Sequence, residues 1–186
     1  MADAAVRPAG PDDVNEIARI QVLTWQSAFD GLLPPTVLAG LDQEQSAEQW
    51  ARVVEQGPAS VFVATEGAWT VGFCVVGPSP ESESAAANDL PVEDAATVAL
   101  VSTILVEPRW GRRGHGGRLL AAAATTLREQ GSTRGIAWVP ERNAATMGFF
   151  RRVGWGPDGV VRTLDAGGQP LREVRLTGSL DLALAQ

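Results

Sequence analysis

The sequence predicts an α/β fold: a mixed sheet of about seven strands with helices on both faces. Three observations lead there. Strand-like and helix-like segments alternate along the chain in the order β-α-α-β-β-β-α-β-α-β-β. Two of the strands are separated only by a tight turn, which makes them a hairpin. Finally, 186 residues, 45% of them apolar, suffice for one sizeable core but are short for two, and neither an internal repeat nor a Pro- or Gly-rich linker divides them. Residues 1–186 are therefore expected to form a single domain.

The chain opens with a short strand, "AVRPA" (5–9). "PDDVNEIARIQVLTWQSAF" (11–29) then places Val14, Ile17, Ala18, Val22, Trp25 and Phe29 at helical spacing, with Pro11 in the first turn, where its missing N–H costs nothing. "PPTVLAGL" (34–41) is a short helix, and "DQEQSAEQWARVVEQ" (42–56) is a longer one with Trp50, Val53 and Val54 on one side and Gly57-Pro58 at its end. The hairpin is "ASVFVATE" (59–66) and "WTVGFCVVGP" (69–78), joined at Glu66-Gly67. "SPESESAAANDLPVED" (79–94) holds five acids and no base, so a mobile loop is expected. "ATVALVSTILVEP" (96–108) is a buried strand ended by Pro108, and "HGGRLLAAAATTLREQG" (115–131) is a helix stopped by Gly131. "RGIAWVP" (134–140) is a strand, and "NAATMGFFRRVG" (143–154) is a helix capped by Asn143 and closed by Gly154. "GVVRTLDA" (159–166) and "LREVRLTGSL" (171–180) complete the sheet.

Composition narrows the function classes. The formal net charge of −7 argues against nucleic acid or an anionic membrane as the main partner and permits cationic small molecules. A single cysteine, Cys74, excludes an internal disulfide, and its apolar surroundings "VGFCVV" make it a core residue of a protein kept in a reducing cytoplasm. The N-terminal residues have neither a charged start nor an unbroken apolar stretch, and no window approaches the roughly 20 apolar residues of a membrane span, so a soluble, non-exported protein is expected. No metal-ligand pattern is present, and no metal is expected. Against the acidic background, Arg109, Arg112, Arg113 and Arg118 cluster in a chain without lysine. A local anion site is the expectation.

That cluster surrounds "GRRGHG" (111–116), with Gly117 following, between the buried strand and a helix. A strand that runs through a glycine turn into a helix leaves backbone N–H groups without partners, and such groups bind phosphate. Glycine at 111, 114 and 116 permits positive φ and close backbone approach. The P-loop is excluded because there is no lysine, and the dinucleotide fingerprint fails because Leu119 stands where its last glycine belongs.

The stretch resembles the acyl-CoA pyrophosphate loop of the GNAT family of N-acetyltransferases, Q/R-x-x-G-x-G/A between a strand and a helix. Gly114-His115-Gly116 matches its G-x-G, Arg113 its basic slot, and Leu119-Leu120 the leucines that follow. Gly111 stands at the first position, where Gln or Arg is usual, so one phosphate contact is missing or comes from Arg109 or Arg112. "WVPERNAATMGFFRRVGW" (138–155) resembles the second family signature through Asn143, Phe149-Phe150 and Gly154-Trp155. "IARIQVLTWQSAFDGLLPPTVL" (17–38) is similar to the opening helices that cover the acceptor pocket in bacterial members.

The resemblance implies acetyl transfer from acetyl-CoA to a primary amine of a small molecule or peptide, by a monomer or homodimer. It implies that 111–117 hold the pyrophosphate, that Ile104, Leu105 and Val106 bind the pantetheine arm like a neighbouring strand, and that Asn143 and Phe150 lie beside the cofactor. Trp25 and Phe29, spaced i, i+4, are candidate walls of the acceptor pocket, with core packing as the alternative. His115, the sole histidine, is placed beside the diphosphate and away from the thioester.

Two departures bear on catalysis. The usual tyrosine acid is replaced by Phe150, and the usual glutamate of the central strand by Leu100. A thiol of pKa about 8.5 leaves without strong acid help, so the first loss is survivable. Glu93, Asp94 and Asp30 are the remaining candidates for a base acting through water. The same departures suit a non-catalytic acyl-CoA-binding protein. A nucleotide-binding regulatory domain of another fold would account for the glycine turn alone.

Overall fold

The computed structural model describes residues 3–31 and 33–182. Its strands are β1 (Ala4–Pro8), β2 (Ser60–Glu66), β3 (Trp69–Pro78), β4 (Val98–Val106), β5 (Arg134–Pro140), β6 (Gly156–Asp165) and β7 (Pro170–Ser179), hydrogen-bonded in the order β1-β2-β3-β4-β5-β7-β6. The helices are α1 (Val14–Ala28), α2 (Pro35–Ala39), α3 (Gln43–Gln56), α4 (Glu81–Ser84), α5 (His115–Glu129) and α6 (Ala144–Arg152). β1 and β2 are antiparallel, β4 and β5 parallel, and β7 antiparallel to both β5 and β6, so the sheet is mixed as expected. By contact the chain forms two units, Met1–Val75 with Thr103–Ala123 and Val76–Ser102 with Ala124–Gln186. Among the described residues no helix is long and apolar enough to cross a membrane.

In the first unit the side-chain period of the strands sorts the core into two faces. Val61, Val63, Phe73 and Val75 turn toward α1 and α3, where Val14, Ile17, Ala18, Ile20 and Trp50 meet them. Trp50 sets its ring edge-on to Phe73 at 5.1 Å and donates its indole N–H to Gln21 Oε1 at 2.8 Å, so its one polar atom is satisfied. The alternate residues Phe62, Ala64 and Cys74 are buried on the other side, and the Cys74 thiol reaches the Leu119 carbonyl of α5 at 3.8 Å. Ile17, Ile20 and Leu119 are each fully buried, and each such side chain stabilises the fold by about 1.5–3 kcal/mol. The start of α1 is held electrostatically: buried Asp13 accepts two hydrogen bonds from Arg7 of β1, at 2.7 and 2.8 Å, and one from the Gly10 N–H at 2.8 Å. Those bonds hold its carboxyl below the usual range despite the opposing push of burial.

In the second unit Trp155 organises the meander β5-β7-β6. Gly135 and Gly178 lie beneath its ring, where a β-carbon at either position would collide with the indole. The indole N–H donates to the Ser179 carbonyl at 3.0 Å, and the ring stacks on Phe150 at 5.2 Å.

The acid-rich segment 79–94 is docked and not a free loop. Ser84 and Ala85 are buried, Glu83 pairs with Arg162 at 2.8 Å, Asp94 pairs with Arg134 at 2.7 Å, and Arg175 donates to the carbonyls of Glu83 and Ala85 at 2.8 and 2.7 Å. The expectation of mobility failed because it weighed the segment's charge alone. Its partners stand on β5, β6 and β7, far along the sequence.

Candidate active site

β4 ends at a buried carboxylate. Glu107 accepts from Arg19 of α1 at 2.9 Å and from Arg109 at 2.6 Å, and its N–H donates to Val71 of β3 at 2.9 Å. Pro108–Trp110 then make one 3-10 turn, and α5 begins at His115. The backbone between them bends through two left-handed residues, Arg112 at φ 64° and Gly114 at φ 83°. Sequence reasoning expected glycine in that role at 111, 114 and 116. Only Gly114 fills it: Gly111 is extended at φ −59°, ψ 157°, and Gly116 and Gly117 lie within the helix. The Gly114 carbonyl accepts the first helical bond, from the Arg118 N–H at 3.0 Å. The N–H groups of His115, Gly116 and Gly117 therefore have no intrahelical acceptor and point out of the N-terminus, where the dipole favours an anion.

The arginines around this turn fall into two sets. Arg109 is tied to Glu107 and lies over the rings of Trp69 and Trp110, at 5.7 and 5.6 Å. Arg113 is tied to Glu66 at 2.9 Å and lies over Trp110 at 4.9 Å. Both are fixed structural cations, which corrects the expectation that Arg113 serves phosphate directly. Arg118 bonds only a carbonyl, that of Arg113, at 3.0 Å, and Arg112 has no partner among the described residues. A non-glycine left-handed residue with an unpaired charge is thus the strongest side-chain candidate for an anion at this turn.

His115 is corrected as well. Its side chain is 1% exposed, and Nε2 bonds Glu66 Oε2 at 2.7 Å while Nδ1 is buried without a partner. The imidazole belongs to the interior, and only the backbone N–H of His115 faces the anion position.

Of the proposed bases, Asp94 is removed. Both its oxygens bind Arg134, at 2.7 and 2.9 Å, and these bonds hold the carboxyl below its ordinary range against burial. A carboxylate stabilised in that way is a poor proton acceptor. Glu93 and Asp30 are exposed, and no structural partner orients either. Asn143 caps α6 as expected, its Oδ1 accepting from the Thr146 N–H at 3.1 Å. Phe150 is 1% exposed, packed edge-on to Phe149 and stacked on Trp155. It is a core ring with no open face, so the expected contact with the cofactor is corrected: helical phase turns residue 150 inward and leaves Phe149 half-buried. Trp25 and Phe29 are half-buried neighbours with centroids 5.5 Å apart. The ladder between β4 and β5 covers Val98, Ala99 and Leu100, and Ile104, Leu105 and Val106 lie beyond its end.

The sequence profile of the acetyltransferase (GNAT) family matches residues 22–155, most of the chain and both motif regions. The chain belongs to that family. It is 27% identical over 173 residues to an uncharacterised N-acetyltransferase, YuaI, of Bacillus subtilis, covering 92% of this chain and 90% of the relative. Among solved structures it is similar to the PaiA N-acetyltransferase of Thermoplasma acidophilum in complex with coenzyme A, with TM-score 0.69, 12% identity and coverage of 95% and 99%. A ribosomal-protein-alanine N-acetyltransferase of Brucella melitensis gives TM-score 0.70 at 21% identity, with 94% and 99% covered. The chain is thus an acetyl-CoA-dependent N-acetyltransferase acting on an amine. Among the described residues no group of His, Cys, Asp and Glu is placed to hold a metal ion.

Sequence reasoning missed Glu66, Glu107, Trp69 and Trp110, which fix the geometry of the acetyltransferase turn. The signal for the two acids was present: each stands at the end of an apolar strand run, where a carboxylate is half withdrawn from water and needs a cation.

Proposed function

We propose that this acetyltransferase holds the CoA pyrophosphate on the N–H groups of His115, Gly116 and Gly117, with Arg112 and Arg118 supplying the charge. The single observation that carries the reading is the pair of left-handed residues, Arg112 and Gly114, that aims an uncapped helix start beside an unpaired guanidinium. In the same reading 104–106 of β4 bind the pantetheine amides in strand fashion, and Asn143 contacts the arm with the amide nitrogen its cap leaves free. The attacking amine is neutral on arrival or loses its proton to water. The oxyanion is met by backbone N–H groups near Leu105 and Val106, and the thiolate departs with little acid help.

The acceptor is a primary amine of a small molecule or peptide, and Trp25 and Phe29 line its approach. Docking of Glu83 and Asp94 onto arginines leaves Glu81, Asp89 and Glu93 as the acids of that segment without a printed ion pair, so attraction of polycations is weaker than the sequence suggests. We place the enzyme in the cytoplasm as a single acetyltransferase domain, monomeric or homodimeric, with neither nucleic acid nor membrane as a partner.

The test is calorimetry with CoA on the unmodified protein and on Gly117→Val. A β-carbon at 117 meets nothing within 4 Å, so the fold tolerates it. Helical β-carbons tilt toward the N-terminus, so the branched side chain intrudes where the pyrophosphate sits. CoA binding is expected to be lost in a folded protein, and equal affinity for both would refute the site. Thiol release from acetyl-CoA with polyamines, aminoglycosides and peptides then identifies the acceptor.

A further inference from the structure

We propose that Glu66 is a positioning residue for the cofactor turn: its one carboxylate, at the end of β2, grips Arg113 and His115, the two residues flanking left-handed Gly114. The proposal rests on the reading that the turn takes the pyrophosphate. Oε1 accepts from Arg113 at 2.9 Å and Oε2 bonds His115 Nε2 at 2.7 Å. Two anchors on either side of one flexible glycine fix the directions of the N–H groups at 115–117, so the turn is set before the anion arrives.

The anchor itself does not move. Glu66 pairs with Ala4 of β1, and the next residue, Gly67, donates its N–H to the Asp3 carbonyl at 3.0 Å. The hairpin end is therefore tied to the edge strand, and the Glu66 side chain is only 13% exposed.

The chemistry of His115 argues that the contact is more than filling. Its ring is buried, yet Nδ1 has no partner. A leucine would fill a similar space without burying an orphan nitrogen, so the imidazole is costly at this position except for its bond to Glu66. The unpartnered Nδ1 also fits the tautomer in which Nε2 carries the proton and donates to the carboxylate. Burial raises the Glu66 carboxyl, but the hydrogen bonds from His115 and Arg113 outweigh it, and the group stays below the ordinary range. The clamp is thus charged at neutral pH. It also holds Arg113 in place, which leaves phosphate contact to Arg112.

The experiment compares Glu66→Gln, His115→Leu and the double variant with the unmodified protein. Glutamine keeps the shape and loses the charge, so the Kd for CoA is expected to rise on the order of tenfold. With the amine found above, KM for acetyl-CoA should rise while kcat at saturation holds, because the residue touches no reacting atom. S-acetylpantetheine, which has no phosphates, should be used as well as before. A general loss of structure would instead lower activity with both donors. The double variant should be little worse than the weaker single variant, since both break one connection. Unchanged CoA affinity in folded Glu66→Gln, equal losses with both donors, or full additivity would overturn the clamp. Failure of the unmodified protein to bind CoA would overturn the turn as the pyrophosphate site, and the clamp with it.

Discussion

Arg112→Gly separates stability from affinity at the turn. A non-glycine residue at φ 64° carries strain of roughly 1–2 kcal/mol. Glycine removes that strain and returns roughly 0.5–1 kcal/mol through the greater freedom of the unfolded chain. The folded protein should gain on the order of 0.5–1 kcal/mol, which raises Tm by about 1–4 °C at this chain length. No ion pair is lost, because none is made by Arg112 among the described residues. Affinity should move the other way. A charged hydrogen bond to phosphate contributes roughly 1.5–3 kcal/mol, and an exposed arginine belongs at the low end, so CoA should bind about tenfold more weakly. Thermal unfolding and CoA calorimetry on the same samples read both effects. A protein stabilised without loss of affinity would show that Arg112 does not face the phosphates. A fall in Tm would show that its side chain supports the left-handed backbone, and the strain argument would be wrong.

Three further outcomes follow from burial and charge. Phe150→Tyr should lower stability by about 1–3 kcal/mol, because it buries a hydroxyl against Trp155 without a partner, and should bring no gain in thiol release; a faster enzyme would mean that residue 150 reaches the sulfur. Burial pushes the Cys74 thiol up to about 12, so a thiol-specific disulfide reagent at neutral pH should react only on unfolding, and rapid labelling of the native protein would refute the core assignment. Asp13 is depressed in the folded state by its bonds to Arg7, with the Gly10 N–H adding to them; its stabilisation is complete above the unfolded carboxylate value of about 3.9 and is lost as pH falls through the lower folded value. Asp13→Asn should therefore flatten the acid limb of stability measured by denaturant unfolding at stepped pH, and an unchanged limb would remove Asp13 from the account.

Most of the fold was legible because the apolar period is local information. Val61, Val63, Phe73 and Val75 alternate in the sequence as they alternate across the sheet, and Asn143 announces the cap of α6. The turn at 111–117 was legible as a phosphate site, since glycines between a strand and a helix imply free N–H groups. Which residue takes the left-handed conformation was not, because φ depends on how both ends of the turn are held, and Glu66 and Glu107 hold them from distant strands. The docking of 79–94 was illegible for the same reason: Glu83 and Asp94 meet arginines about 80 and 40 residues later in sequence. Motif matching set Phe150 in the place of an acid, but only packing shows that the ring is spent on Trp155.

The same long-range pairs explain how a chain of net charge −7 offers a site to an anionic cofactor. Around the turn Glu16, Glu66 and Glu107 hold Arg19, Arg109 and Arg113, with Arg19 shared between Glu16 and Glu107. These pairs fix geometry and contribute little field, since each guanidinium is matched by a carboxylate at contact distance. Arg112 and Arg118 remain without carboxylate partners, beside the positive end of α5. The local potential is therefore set by two side chains and a helix end, not by the four clustered arginines the sequence displays. An overall negative charge does not oppose this site strongly, because screening confines each surface charge to about 8–10 Å at physiological salt. Selectivity for a polyphosphorylated donor then comes from where charge is left unpaired. The acids at strand ends decide that, by choosing which arginines they remove.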